Sequence, residues 1–93
     1  MFQKKWPRRI ISDTGFELQI KSRGSLLYKE GNRTLEINSE YLAHSLGIAI
    51  YKKSIENWDQ PHDRESIAEE KREEIINNVK EALAFKRIDT EIW

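Results

Sequence analysis

Phe16, Leu18 and Ile20 alternate with Glu17, Gln19 and Lys21. A period of two marks a strand with one face buried. Ser22-Arg23-Gly24 follows and reads as a three-residue hairpin loop, with Gly24 supplying the positive φ that such a loop needs at its third position. Residues 25–30 form the next strand. Gly31-Asn32 is a two-residue turn signal, and 33–38 is the strand after it. The two turns fix a register. A two-residue turn at 31–32 sets Glu30 opposite Arg33, Tyr28 opposite Leu35 and Leu26 opposite Ile37. A three-residue loop at 22–24 sets Lys21 opposite Ser25, Ile20 opposite Leu26 and Leu18 opposite Tyr28. The large apolar residues then fall in common rows. A slip of one residue would turn one strand's apolar set to the wrong face.

Residues 39–45 form a polar connection. Residues 47–52 read as a fourth, more buried strand, with Ile48 and Ile50 on one face and Ala49 and Tyr51 on the other. Residues 53–65 are a loop. Ser66-Ile67-Ala68-Glu69 has the form of a capping box and predicts a helix starting at Ser66. Its inward stripe is Ala68, Ile75, Ile76, Val79, Ala82 and Leu83. Lys71 and Arg72 interrupt the stripe, which predicts that the first turns project beyond the sheet. The helix fades near Lys86, and the alternation of Ile88, Thr90 and Ile92 allows a short return strand. The expected fold is α+β: an antiparallel four-stranded meander, one long helix packed on one of its faces, and a short strand at the end.

Charge changes this picture at one place. The 93 residues balance sixteen Lys and Arg against sixteen Asp and Glu, yet residues 1–30 carry seven basic and three acidic side chains while 64–93 carry six and eight. Residues 1–15 therefore read as a basic arm and 16–93 as a single domain. Zero net charge argues against a protein that works through bulk attraction to nucleic acid or membrane. The absence of cysteine excludes disulfides, a thiol nucleophile and cysteine-ligated zinc. No run of 18 apolar residues occurs. Residues 1–11 lack the apolar stretch of a secretory signal, so a cytoplasmic location is expected.

Candidate chemistry is sparse. His44-Ser45 and His62-Asp63 are the pairs that resemble a nucleophile with its base, but neighbours on an extended chain point apart. Phosphate-loop, dinucleotide, zinc-protease and EF-hand patterns are all missing, so no cofactor or metal is expected. Phe2 and Trp6 interleave with Lys4, Lys5, Arg8 and Arg9 as a single-strand nucleic-acid surface would require. A basic tail with Trp6 packed beside Pro7 fits the net-acidic remainder better. Pro61-His62-Asp63-Arg64-Glu65 is a dense polar stretch that either leads the chain into the helix or offers a binding edge. Trp58 suits a core plug and an interface anchor equally. The run Glu69-Glu70-Lys71-Arg72-Glu73-Glu74 has the character of a solvated helix face.

The string Tyr51-x-x-Ser54-Ile55-x-x-Trp58-x-x-Pro61-His62-Asp63 follows Gly47-Ile48-Ala49-Ile50 and precedes Glu65, Ile67 and a helix with Ile75, Ile76, Ala82 and Leu83. With the turns Arg23-Gly24 and Gly31-Asn32, it resembles a small α+β family of bacterial immunity proteins from polymorphic-toxin systems. The resemblance spans residues 16–93. It implies a non-enzymatic protein that occludes a cognate toxin domain, and it brings no catalytic residues. The expected contact edge is the loop residues Trp58, His62, Asp63, Arg64 and Glu65 with the helix start at Glu69 and Glu70. The competing expectation is a single-stranded nucleic-acid-binding module built on sheet aromatics and the basic arm.

Overall fold

The computed structural model describes residues 2–5, 9–22, 24–42 and 47–93, with residues 2–5 and Ser22 described by their backbone. Among these, seven strands form one curled mixed sheet: β1 (Phe2–Lys5), β2 (Arg9–Ser12), β3 (Phe16–Ser22), β4 (Ser25–Glu30), β5 (Arg33–Tyr41), β6 (Gly47–Ile50) and β7 (Asp89–Ile92). The strands lie side by side in chain order. The first six are antiparallel neighbours, and β7 joins β6 in parallel after the helix α1 (Glu69–Phe85) has crossed over.

The central register is the expected one. Leu26 faces Ile37, Tyr28 faces Leu35, Leu18 faces Tyr28 and Ile20 faces Leu26. The row extends one strand further, because Ile10 of β2 faces Leu18 and is fully buried. Residues 2–5 and 9–12 are thus strands of the sheet. The turn that admits them is built by Ser12 and Thr14, whose hydroxyl oxygens lie 2.6 Å apart, and by Gly15 at φ 107°.

Gly31 takes φ 63°, and Asn32 stays outside the left-handed region, the signature of a type II′ turn. At the other hairpin Ser22, not Lys21, faces Ser25. Lys21 is the extra residue of a bulge, which shortens the loop to two residues, so Gly24 needs no positive φ and takes none. Arg23 lies outside the described residues.

The fourth predicted strand ends at Ile50, and Lys52–Ser54 turn as a short 3-10 helix. Gly47, Ile48, Ala49 and Ile50 are all buried: Ile48 and Ile50 belong to the core cluster, and Gly47 and Ala49 are small residues on a strand held between β5 and β7.

The helix starts at Glu69, three residues later than the capping box predicts. Ser66 forms a β-bridge with Asn57, and the Ile67 N–H donates to the Glu56 carbonyl at 2.7 Å. The chain therefore stays extended to Ala68, which caps with φ −64° and ψ 157°, no side-chain bond, and an exposed side chain outside the stripe. Ile75, Ile76, Val79, Ala82 and Leu83 are buried as expected. Nor does the first turn project away. Lys71 Nζ donates to Glu30 of β4, and Arg72 Nε donates to the Ile55 carbonyl at 3.0 Å. The helix ends in a Schellman motif: the Ile88 N–H donates to the Leu83 carbonyl, the Arg87 N–H to that of Ala84. Arg87 occupies the left-handed position at φ 61°, where glycine is usual.

The core lies between the sheet and the helix. Tyr28 is at its centre, fully buried, with its ring stacked on Phe16 (centroids 5.5 Å apart) and Trp58 (6.4 Å). Its hydroxyl donates to Glu30 at 2.6 Å and accepts from Asn78 Nδ2 at 3.0 Å. Burial, and then the neighbouring Glu30 carboxylate, push the phenol well above its ordinary pKa.

Candidate functional site

The loop from Glu56 to Ile67 is closed on itself. Its ends meet in the Asn57–Ser66 bridge, and the Trp58 N–H faces the Glu65 carbonyl at 3.4 Å. Between them the Gln60–Pro61 peptide is cis. The His62 N–H donates to Asp59, the Glu65 N–H to His62, and Asn57 Nδ2 to the Asp63 carbonyl. The loop is also tied to β5. The Asp59 N–H donates to the Thr34 carbonyl at 2.8 Å, and Arg33 reaches Glu65 Oε1 through Nε at 2.9 Å and through its second terminal nitrogen at 2.8 Å. His62 Nδ1 lies 2.9 Å from the other oxygen of the same carboxylate. The Arg33 guanidinium, with His62, holds Glu65 below the usual carboxylate range, whereas burial raises Asp59 above it.

The expected contact residues divide accordingly. Trp58 is only 6% exposed and is a core plug; its indole is not available as a surface anchor. His62 and Glu65 face each other and serve as loop ties. His62 meets Glu65 rather than the side chain of Asp63, and no nucleophile bonds to it among the described residues. Asp63, Arg64, Glu69 and Glu70 are exposed. His44 and Ser45 lie outside the described residues, as do Trp6 and Arg8 and the side chains of Phe2, Lys4 and Lys5. Arg9 is paired with Glu17 at 2.7 Å. Among the described residues no group of three or more His, Cys, Asp or Glu is gathered to hold a metal, and no helix is long and apolar enough to cross a membrane.

A second region carries exposed aromatic side chains that the polar motif did not announce. Trp93 is 49% exposed and Tyr51 is exposed beside it; Tyr41 and Ile92 are exposed as well but pair with Ile48 and Ile50 and lie on the other face of the sheet. Tyr51 and Trp93 meet edge to face, with centroids 5.5 Å apart and ring planes at 82°. Their polar atoms bond to acids: the Tyr51 hydroxyl donates to Glu40 at 2.9 Å, and Trp93 Nε1 to Glu91 at 3.4 Å. The strand period explains the grouping. Ala49 faces Glu40 on one side and Glu91 on the other, and Tyr51 and Trp93 follow two residues along their chains on the same sheet face. That face is opposite the helix. The signal was present in the sequence as Ala49/Tyr51 and Glu91/Trp93, each spaced by two.

A family model described as Immunity protein 74 matches residues 17–92. No curated protein matches the chain, and no solved structure does. The match covers most of the 93 residues, so the chain belongs to the Immunity protein 74 family, and its function is an immunity function.

Proposed function

We propose that this member of the Immunity protein 74 family neutralises a cognate toxin domain in the cytoplasm of the producing cell, by binding it and covering its active site or substrate groove. The family match over residues 17–92 carries the reading. Immunity by occlusion requires a stable surface and no reactive group. The described histidine is used inside the molecule as a loop tie, which fits a binding protein without catalysis of its own.

The charge distribution supports a basic toxin surface. Glu69 and Glu70 stand exposed at the start of α1, Asp63 and Arg64 are exposed in the preceding loop, and residues 64–93 are net acidic. Such charges speed encounter more than they deepen affinity. The same acids weigh against a nucleic-acid role. Glu40 and Glu91 flank the exposed aromatic pair and would repel phosphates that a base stacked there must bring with it.

The test draws its toxin domain from the open reading frames that neighbour this gene. Co-expression should restore growth to a bacterial host carrying that domain, and binding should reach the nanomolar range of a desolvated protein interface. A catalytically inactive toxin should lose its substrate when the chain is bound. A complex that still binds substrate would remove occlusion as the mechanism; a toxin fully active at saturating chain would remove the immunity reading for that pair. Reversing the charge of Glu69 and Glu70 should slow association, more so at low salt.

A further inference from the structure

The seventh strand is the last of the sheet, and among the described residues no strand pairs with its outer side. Its hydrogen bonds to β6 fix which backbone groups are free. The Trp93 N–H donates to the Ile50 carbonyl at 2.8 Å, and the Trp93 carbonyl accepts from the Lys52 N–H at 3.1 Å. Trp93 therefore faces β6, and by alternation so do Glu91 and Asp89. The N–H and C=O groups of Thr90 and Ile92 point to the open edge. An unpaired edge of this kind is a template for another strand. Proteins commonly blunt such edges with lysine or proline; here the strand reads Asp-Thr-Glu-Ile, with neither.

The side chains around the edge select what can dock. Asp89 and Glu91 alternate along β7, Glu40 lies two strands in, and no cation pairs with any of the three among the described residues. Lys52 and Lys53 follow Tyr51 in the 3-10 turn and make no ion pair with these acids. The Tyr51–Trp93 pair stands on the same face as these acids and closes one end of the row. A second copy of this chain is a poor occupant, because two β7 strands side by side would set Asp89 and Glu91 against their own equivalents, and like charges across a strand pair destabilise it. A strand with Lys or Arg at alternate positions meets the carboxylates instead and can lay one cation on the Trp93 ring.

We infer that β7 is the docking edge for the toxin, which adds an extended segment with alternating basic residues to this sheet, anchored against Tyr51 and Trp93. Backbone pairing supplies the binding mode, and the alternate cations supply the specificity. The inference rests on the immunity reading and gives it a place and a partner chemistry.

The experiment takes the full chain and the catalytically inactive form of that toxin domain. Hydrogen–deuterium exchange should show the Thr90 and Ile92 amides slowed at least tenfold in the complex. Ile92→Pro removes one outward donor and leaves the bonds of Trp93 to β6 in place, so it should melt like the parent and bind at least tenfold more weakly. Trp93→Ala should lose at least tenfold in affinity. Asp89→Lys with Glu91→Lys should lose at least as much and should invert the effect of salt on association. A tight complex in which the β7 amides exchange as in the free chain, and which these variants leave unchanged, overturns strand addition and leaves the immunity reading standing. Absence of any complex removes both. A dimer of this chain that protects the same amides in the absence of toxin also overturns the inference, since the edge would then belong to a second copy.

Discussion

Trp58 and Trp93 are chemically identical and used in opposite ways. Trp58 sits in a loop crowded with polar residues, and that loop ties several of them to itself and to β5: His62 and Glu65 bind each other, Arg33 of β5 binds Glu65, and the backbone amides at 58, 59, 62, 65 and 67 all find carbonyls. Trp93 follows a strand of modest sequence character whose acids, among the described residues, have no cationic partner and whose outer backbone groups meet no strand. A concentration of conspicuous polar residues thus includes a structural clasp here, with Asp63 and Arg64 left exposed, while the quieter region carries an exposed aromatic pair and, among the described residues, an open strand edge. The physical reason is that a loop closing over a core must satisfy its own buried polar groups before it can offer any to a partner. An edge strand is offered by topology alone.

This contrast breaks most directly at the two tryptophans. Trp58→Ala should destabilise by about 3–5 kcal/mol, since it empties a site stacked on Tyr28 at the heart of the core. Denaturant unfolding measures it. A cost below about 1 kcal/mol would mean that the loop is not a clasp at all. Along α1, which links the clasp to β7, Val79→Ala should cost about 1–2.5 kcal/mol. Glu73→Ala, on the exposed side of the same helix, should stay within about 0.5 kcal/mol of neutral. The opposite ranking of midpoints would mean the helix is docked on another face.

Acid should loosen the clasp end first. Burial pushes the Glu30 carboxyl up, but the Lys71 ammonium and the Tyr28 hydroxyl outweigh it, so its pKa is lower in the folded chain than its ordinary 4.5. A depressed folded value means that Glu30 stabilises the fold above its ordinary pKa and that the contribution is lost as pH falls through the folded value. Glu30→Gln should therefore flatten the fall in stability below about pH 4.5. An acid limb of unchanged slope would show that other carboxylates govern it. Glu65 is lowered as well, but it is exposed and screened, so Glu65→Gln should flatten that limb far less.

At the junction between helix and edge, Arg87→Gly should stabilise by about 0.5–1 kcal/mol, because a residue with a Cβ is strained at φ 61°. Calorimetry checks the rise in melting temperature, and a fall would mean that the arginine side chain contributes more than its backbone costs. Trp93→Ala should also have a small effect on stability, within about 1 kcal/mol of neutral. A loss comparable to that of Trp58→Ala would erase the distinction between the two regions.

Much of the fold was legible because its signals are local or repeat with a short period. Period-two alternation and turn lengths are read within a few residues, and together they set Leu18, Tyr28 and Leu35 in one row and Ile20, Leu26 and Ile37 in the next. The stripe from Ile75 to Leu83 is equally plain at helical spacing. Where the reading failed, a local preference met a distant competitor. The capping box at Ser66 is sound as local chemistry, but Asn57 and Glu56 hold that stretch extended. Lys71 and Arg72 interrupt the apolar stripe, yet Glu30 and the Ile55 carbonyl draw them inward. Arg-Ile-Ile-Ser at 9–12 is too short to display a period, and Ile10 becomes core because Leu18 is already in place beside it.

For the candidate site, residue types along the chain could nominate His62, Glu65 and Trp58 but could not say which way they turn. That choice belongs to pairs far apart in sequence: Arg33 with Glu65 across 32 residues, Glu30 with Lys71 across 41, Tyr28 with Asn78 across 50. Residue order alone says which segments have an apolar face to bury, and at what spacing. Which polar groups are satisfied within the molecule, and which are left at the β7 edge, is set by the folded chain, because a hydrogen bond depends on a partner within about 3 Å, and no local pattern reveals who that partner is.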